Sequence, residues 1–178
     1  MAREIHPAAR TPDNEEGPRD VRVISGGQTG VDRAALDAAI ELDLDYGGSV
    51  PKGRKAEDGP IDEKYGKLTE LGSLSYRVRT QRNVTDSDAT LIITRGRFSG
   101  GTALTARLAS AQHKPYLIVD LKKMDEAQAL DEATAWLNLV RPGALNVAGP
   151  RESEVPGIYG AAYRFLRLLL SKERRRDR

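Results

Sequence analysis

The residues of this chain that could act on a ligand gather in three glycine-rich stretches. The first, Gly26-Gly27-Gln28-Thr29-Gly30-Val31-Asp32-Arg33, follows the apolar run from Val21 to Ser25 and opens a segment with helical spacing. Strand, glycine turn and helix in that order aim backbone N–H groups at an anion beside the helix N-terminus. The second stretch is Arg95-Gly96-Arg97-Phe98-Ser99-Gly100-Gly101-Thr102, and the third is Gly149-Pro150-Arg151-Glu152-Ser153. Arg33, Lys52, Arg54, Lys55, Arg95, Arg97 and Arg151 lie in or near them. Arginine matches phosphate in a bidentate way and lysine adds a point charge, although several of these cations also fit an ordinary solvated surface. Asp32, Glu57, Asp58, Asp120 and Glu152 are interspersed. They suit the hydroxyl or amino groups of a heterocycle or sugar, or pairing with the arginines. Asp32 has a ligand-free explanation as well, as a carboxylate in the first turn of a helix. With Thr29 three residues earlier it resembles a capping box in which Asp replaces Glu.

Catalytic machinery is not evident. His6 precedes the first strand, and His113 ends a helix before Lys114-Pro115. No serine sits in a nucleophile elbow, and Ser99 and Thr102 fit caps or phosphate donors better. The first turn lacks the Lys-Ser/Thr of a Walker loop and the glycine spacing of a dinucleotide fingerprint. The chain has no cysteine, which excludes disulfides, thiolate metal sites and cysteine nucleophiles and fits a reducing cytosol. Metal-ligand spacing is absent too. The expectation is a cytoplasmic receptor for an anionic small molecule, with no catalytic and no metal-ligating residues.

The elements that must position these residues follow from periodicity. Val21 to Ile24, 45–50, Ala89 to Thr94, Tyr116 to Asp120 and Ala144 to Ala148 read as strands. Val31 to Leu44 reads as a helix with Val31, Ala35, Ala38, Ala39 and Leu42 on one face. A helix from the second glycine turn to about Gln112 follows, then Asp125 to Val140, with Ala127, Leu130, Ala133, Leu137 and Val140 aligned and Trp136 bordering them. Ile158 to about Lys172 is the last. Between Pro51 and about Asp88 the pattern is irregular, with a short helix expected over Tyr65 to Leu71 and an extended piece over Tyr76 to Arg79. So long a connection is usually functional, and it reads as a wall or lid over the site. Strands alternating with helices imply a parallel sheet covered on both faces, with all three glycine turns along its carboxyl edge.

With 178 residues the chain has room for one sizeable core. Residues 1–20 read as a flexible leader without the apolar core of a signal peptide, 21–171 as the ligand-binding domain, and 172–178 as a solvated basic tail. A net charge of +2 gives no argument for nucleic acid. No apolar run approaches the ~20 residues that span a bilayer.

The motifs resemble those of the molybdenum cofactor carrier proteins, a group also described as circularly permuted YpsA-like, within the wider superfamily of LOG and DprA-type Rossmann domains. The resemblance rests on Gly26 to Asp37, Pro51-Lys52-Gly53-Arg54 with Ala56-Glu57-Asp58-Gly59, Asn83-Val84 with Ser87 to Thr90, Gly100-Gly101-Thr102, and Leu145 to Ser153. It covers roughly Val21 to Leu170. It implies a Rossmann-like three-layer α/β fold, a mostly parallel sheet with helices on both faces, and homo-oligomers (tetramers or dimers). It also implies storage or transfer of the molybdenum cofactor, with molybdoenzymes or cofactor-synthesis proteins as partners. Carried over by position, Gly26, Gly27, Gln28, Thr29, Gly30, Asp32 and Arg33 with Lys52, Arg54, Arg95, Ser99, Gly100, Gly101 and Thr102 would hold the ligand. Arg151, Glu152 and Ser153 would close the site. The related LOG phosphoribohydrolases carry a catalytic glutamate three residues after the threonine of their glycine loop, where this chain has Thr105. That argues against hydrolysis and leaves binding of a nucleotide or nucleotide derivative as the alternative.

Overall fold

A computed structural model of the chain describes residues 21–176, with side chains through 171. The expected leader lies outside the described residues. The strands are β1 (Arg22–Ile24), β2 (Tyr46–Gly47), β3 (Ser49–Val50), β4 (Lys55–Ala56), β5 (Gly59–Pro60), β6 (Thr69–Glu70), β7 (Ala89–Thr94), β8 (Tyr116–Asp120) and β9 (Ala144–Ala148). The α-helices are α1 (Val31–Glu41), α2 (Tyr76–Thr85), α3 (Gly100–Ala111), α4 (Glu126–Val140) and α5 (Ile158–Arg176). Five strands form one parallel sheet in the order β2-β1-β9-β7-β8. Strand β7 is buried at every position, as a strand covered on both faces must be. Helix α5 packs against α1 and α4 on one face, and α2 packs against α3 on the other. The fold is therefore a three-layer, Rossmann-like α/β arrangement.

Helix spacing accounts for the layers. In α5, Ile158, Ala162, Phe165, Leu166, Leu169 and Leu170 recur at three- and four-residue intervals and are all but fully buried. Helix α4 begins with a capping box in which Asp125 and Gln128 each satisfy the other's backbone N–H. Its buried face holds Ala129 and Trp136 with Leu130, Ala133 and Leu137, while Ala127 is exposed. Helix α5 continues to Arg176 rather than stopping near Lys172.

Other local expectations change as well. The strand expected over 45–50 divides at Gly48: Tyr46 and Gly47 pair with β1, whereas Ser49 and Val50 pair with β6. Gly48 has φ +133°, and a Cβ there would collide with the Ser25 carbonyl, so the chain can leave the sheet only through glycine. Tyr65 to Leu71 is not helical. Tyr65 and Leu68 are separate anchors of an irregular segment, buried at 2% and 7% exposure, and β6 follows. Tyr76 to Arg79 is the first turn of α2 rather than an extended piece, capped by Ser75 accepting from the Val78 N–H. The capping box expected of Thr29 and Asp32 is absent, because Gly30 occupies the N-cap.

Three adjacent central strands, β1, β9 and β7, each end in a glycine turn, so all three turns share one rim. The helix after β7 lies on the opposite face from those after β1 and β9, and that divergence opens a crevice at the carboxyl edge. The first and third turns touch backbone to backbone. Val31 N donates to Pro150 O at 3.3 Å, and a Cβ at Gly30 (φ +76°) would collide with that carbonyl and approach Glu152 N. Gly30→Ala is therefore expected to cost at least about 2 kcal/mol in urea unfolding. Gly160→Ala, in helical backbone with open space around it, should stabilise by about 0.5–1 kcal/mol.

Candidate functional site

The crevice holds a cavity of about 210 Å³ built from all three layers. Gln28 and Asp32 reach it from the first turn and α1, Tyr76, Arg77, Arg79 and Thr80 from α2, and Gly101, Thr102, Leu104 and Thr105 from α3; Ala148, Gly149, Arg151 and Glu154 come from the third turn.

At its floor, Arg79 and Asp32 form an ion pair at 3.0 Å, with side chains only 12% and 6% exposed. Gly26 makes this possible, because any Cβ there would overlap the Arg79 guanidinium. Asp32 also accepts from the Gln28 N–H at 3.3 Å. Burial pushes its carboxyl above the ordinary range, and the opposing pull of Arg79 does not fully offset this. Two donors here have no partner among the described residues, Nε2 of Gln28 and Nε of Arg79. Gln28 is only 4% exposed, and a buried donor left unpaired in a cavity favours a ligand acceptor.

Above the floor, the β4–β5 hairpin reaches across to the rim through Glu57. Its carboxylate accepts from Thr29 Oγ1, from Ser153 Oγ at 2.5 Å and from Ser153 N at 3.4 Å. Arg151 lies 3.9 Å away, with its guanidinium 5.1 Å from the centroid of the Tyr76 ring. Burial would raise the Glu57 carboxyl, but the Ser153 and Thr29 hydrogen bonds outweigh it and hold it below the usual range.

Beyond this bridge lies a second cavity of about 370 Å³, lined in part by Thr29, Gly30, Arg33, Tyr65, Glu152 and Tyr159. Arg33 is held there by a bidentate pair with Asp58. Asp37 accepts from the hydroxyls of Tyr65 at 2.9 Å and Tyr159 at 2.8 Å and pairs with Lys64 at 3.1 Å. Burial, followed by Asp37, pushes both tyrosines up to about 12.

The expected site residues thus separate. Gln28, Asp32, Gly101, Thr102 and Arg151 share the rim cavity, while Thr29, Gly30, Arg33 and Glu152 line the second one. Ser153 joins the bridge, Gly26 lies under Arg79, and Gly27 packs on Ile61 and Leu68. Glu152 also caps α5 through the N–H groups of Gly157 and Tyr159. Lys52, Arg54, Arg95, Ser99 and Gly100 stand outside both cavities. Arg54 instead donates to the carbonyls of Ile61, Asp62 and Tyr65. Asp120 pins the second turn by accepting from Gly96 N, and Arg95 and Arg97 are exposed. Ser99 precedes α3 without a side-chain capping bond. Sequence reasoning missed Arg79, Tyr76 and Glu154, and placed Glu57 only among residues of mixed role. The available signal was Ser75 as a cap with Tyr76, Arg79, Thr80 and Asn83 at helical spacing. Among the described residues, no group of three or more His, Asp or Glu is placed to hold a metal ion.

A crevice at the carboxyl edge of a Rossmann-like α/β sheet defines the class, and comparison supplies the family. Residues 23–170 match the model of the circularly permutated YpsA SLOG family, and the chain belongs to it. It is also similar to the crystal structure of a "Putative molybdenum carrier protein" from Syntrophus aciditrophicus SB. The identity is 45% and the TM-score 0.83, covering 88% of this chain and 98% of that one. A search of curated proteins finds no significant match.

Removing Arg79 would leave Asp32 buried without its countercharge. Arg79→Met should lower stability at pH 7 by about 3 kcal/mol or more, and adding Asp32→Asn should restore most of it. Because the folded Asp32 carboxyl titrates above its unfolded value, its contribution is full below that value and is lost as pH rises through the folded one. Chemical unfolding from pH 5 to 8 should show a steeper decline for Arg79→Met than for wild type. Glu57 and Asp58 titrate below their unfolded values and contribute with the opposite sign, their share lost as acid protonates them.

Proposed function

We propose that this protein is a carrier for the molybdenum cofactor, holding an anionic end of that ligand at the carboxyl edge of the sheet. The observation that carries the reading is the rim cavity, where Arg79 and Arg151 converge with the unpaired Nε2 of buried Gln28. The cofactor is a pterin with a phosphate and an oxidised metal on a dithiolene. Its charged groups suit guanidinium and amide donors, and in a chain without cysteine the dithiolene would remain the metal's sulfur ligand. Pockets that enclose a whole drug-sized ligand run roughly 300–1,000 Å³, so a cavity of about 210 Å³ suits one end of the cofactor. The similar Syntrophus protein, described as a molybdenum carrier, supports the same assignment.

A carrier also fits what lies where the LOG hydrolases place their glutamate. Thr105 lines the cavity, but its hydroxyl donates to Gly101 O at 2.9 Å within its own helix. Among the described residues no helix is long and apolar enough to cross a membrane. The proposal includes a cytoplasmic homo-oligomer that passes its cargo to molybdoenzymes or receives it from cofactor synthesis.

Anaerobic titration with cofactor released from a molybdoenzyme tests this reading. Wild type should retain the cofactor and slow its oxidation. Arg151→Ala should weaken retention about 10- to 100-fold, the worth of a charge-assisted hydrogen bond. Arg82→Ala, on the outer side of α2 and paired with Asp86, should change nothing. Failure of wild type to retain cofactor, with a nucleotide panel raising the melting temperature instead, would move the assignment to a nucleotide-binding protein.

A further inference from the structure

The donors around Glu57 do not resemble a chance surface contact. A hydroxyl and an N–H from Ser153, the hydroxyl of Thr29 and the guanidinium of Arg151 all turn toward one carboxylate. That carboxylate arrives from elsewhere in the chain, 28 residues after Thr29 and 96 before Ser153. We propose that these groups form a seat for a tetrahedral oxyanion of the phosphate class, and that Glu57 occupies it as an internal substitute which the ligand's anionic group displaces. The inference rests on the rim being a ligand site and specifies where the anion sits and what it must expel.

Three observations favour displacement over a permanent latch. A carboxylate has two oxygens, and here one takes Thr29 Oγ1 and Ser153 N while the other takes Ser153 Oγ. Arg151 is left at 3.9 Å, beyond hydrogen-bond reach. A tetrahedral anion offers a third oxygen, and it can engage that guanidinium while keeping the Thr29 and Ser153 donors. The neighbouring Gln28 amide points the same way. Its Oε1 accepts from Glu57 N at 2.9 Å and Thr29 N at 3.0 Å, while its buried Nε2 remains without a partner. Finally, Glu57 sits at the exposed tip of a two-residue hairpin, with Asp58 and Pro60 also exposed. Such a tip can swing away by giving up the Asp58–Arg33 pair and the Glu57 N–H bond to Gln28 while Ala56 stays in the core.

The seat lies between the two cavities, since Thr29 lines the larger one and Arg151 the smaller. An anion seated there would place the rest of its molecule on either side of the first turn. While Glu57 is in place, its charge repels the same anion, so wild-type affinity for a simple oxyanion includes the cost of expelling it.

Inorganic phosphate and sulfate titrated by calorimetry into wild type, Glu57→Gln and Glu57→Gln/Ser153→Ala provide the test. Glu57→Gln keeps an acceptor oxygen but sheds the charge, and should bind both anions at least about 10-fold more tightly than wild type. The added Ser153→Ala should return affinity to the wild-type level or below. A folded Glu57→Gln protein that binds no more tightly than wild type overturns the proposal. Should that variant fail to fold, amide exchange on wild type decides. Saturating phosphate should speed exchange at 55–60 and slow it at 151–153, whereas unchanged or slower exchange at 55–60 overturns the proposal. Because the probe is the inorganic anion alone, the two readings separate. Cofactor retained without the Glu57 effect sinks only the seat, and the Glu57 effect without cofactor retention sinks only the carrier.

Discussion

The rim depends on how closely two turns approach each other. Gly30 and Pro150 meet backbone to backbone, without an intervening side chain. That contact brings the start of α1 against the turn that leads toward α5, so Thr29 comes within hydrogen-bond reach of Glu152 N at 3.2 Å. Gly149 repeats the constraint one residue earlier, where a Cβ would collide with the Ile93 carbonyl at the end of β7 and with Val31. Glycine is required at both points because of space, and φ adds to the demand only at Gly30. The polar groups of the site inherit their spacing from these approaches.

On that frame the protein sets a buried ion pair, which is seldom a gain in stability compared with an apolar pair of the same shape. Asp32 and Arg79 make sense as a way to hold a guanidinium at the floor of the rim cavity without leaving its charge uncompensated. The carboxylate fixes Arg79 against Gly26, and one guanidinium nitrogen, Nε, remains unsatisfied. Arg151 is handled differently. It lies over the Tyr76 ring and near Glu57 without a close hydrogen bond to either. One arginine is thus rigid and the other adjustable, and they enter the same cavity from opposite layers.

What was legible in the sequence follows from which signals are apolar. Strand β7, helices α1 and α4 and the three glycine turns announce themselves through aliphatic periodicity or through glycines between apolar runs. Helix α2 does not, because its inward face carries Tyr76, Arg79, Thr80 and Asn83 and meets polar partners; Asn83 pairs with the backbone of Ser49 in both directions. A search for apolar stripes passes over such a helix, and Arg79 went with it. Choosing cations by nearness to glycine brings in side chains that line neither cavity, for a related reason. Lys52, Arg54 and Arg95 lie close to the motifs along the chain, but proximity in sequence says nothing about direction, and Arg54 turns inward to three carbonyls of its own loop. The residues carried over from the family resemblance divide in the same way, some lining one cavity or the other and some lining neither.

Strand order has a consequence for the life of the molecule before it is complete. Strand β9 comes last among the described strands, yet it sits in the middle of the sheet, bonded to β1 on one side and β7 on the other. Until it inserts, those two strands have no common neighbour, and the turns that form the rim belong to separate pieces. In an emerging chain the rim therefore cannot form until the segment through Ala148 has left the ribosome. Anything that bound only the finished rim would favour, by mass action, the state with the middle strand in place. Such binding would stabilise the whole sheet rather than any one loop.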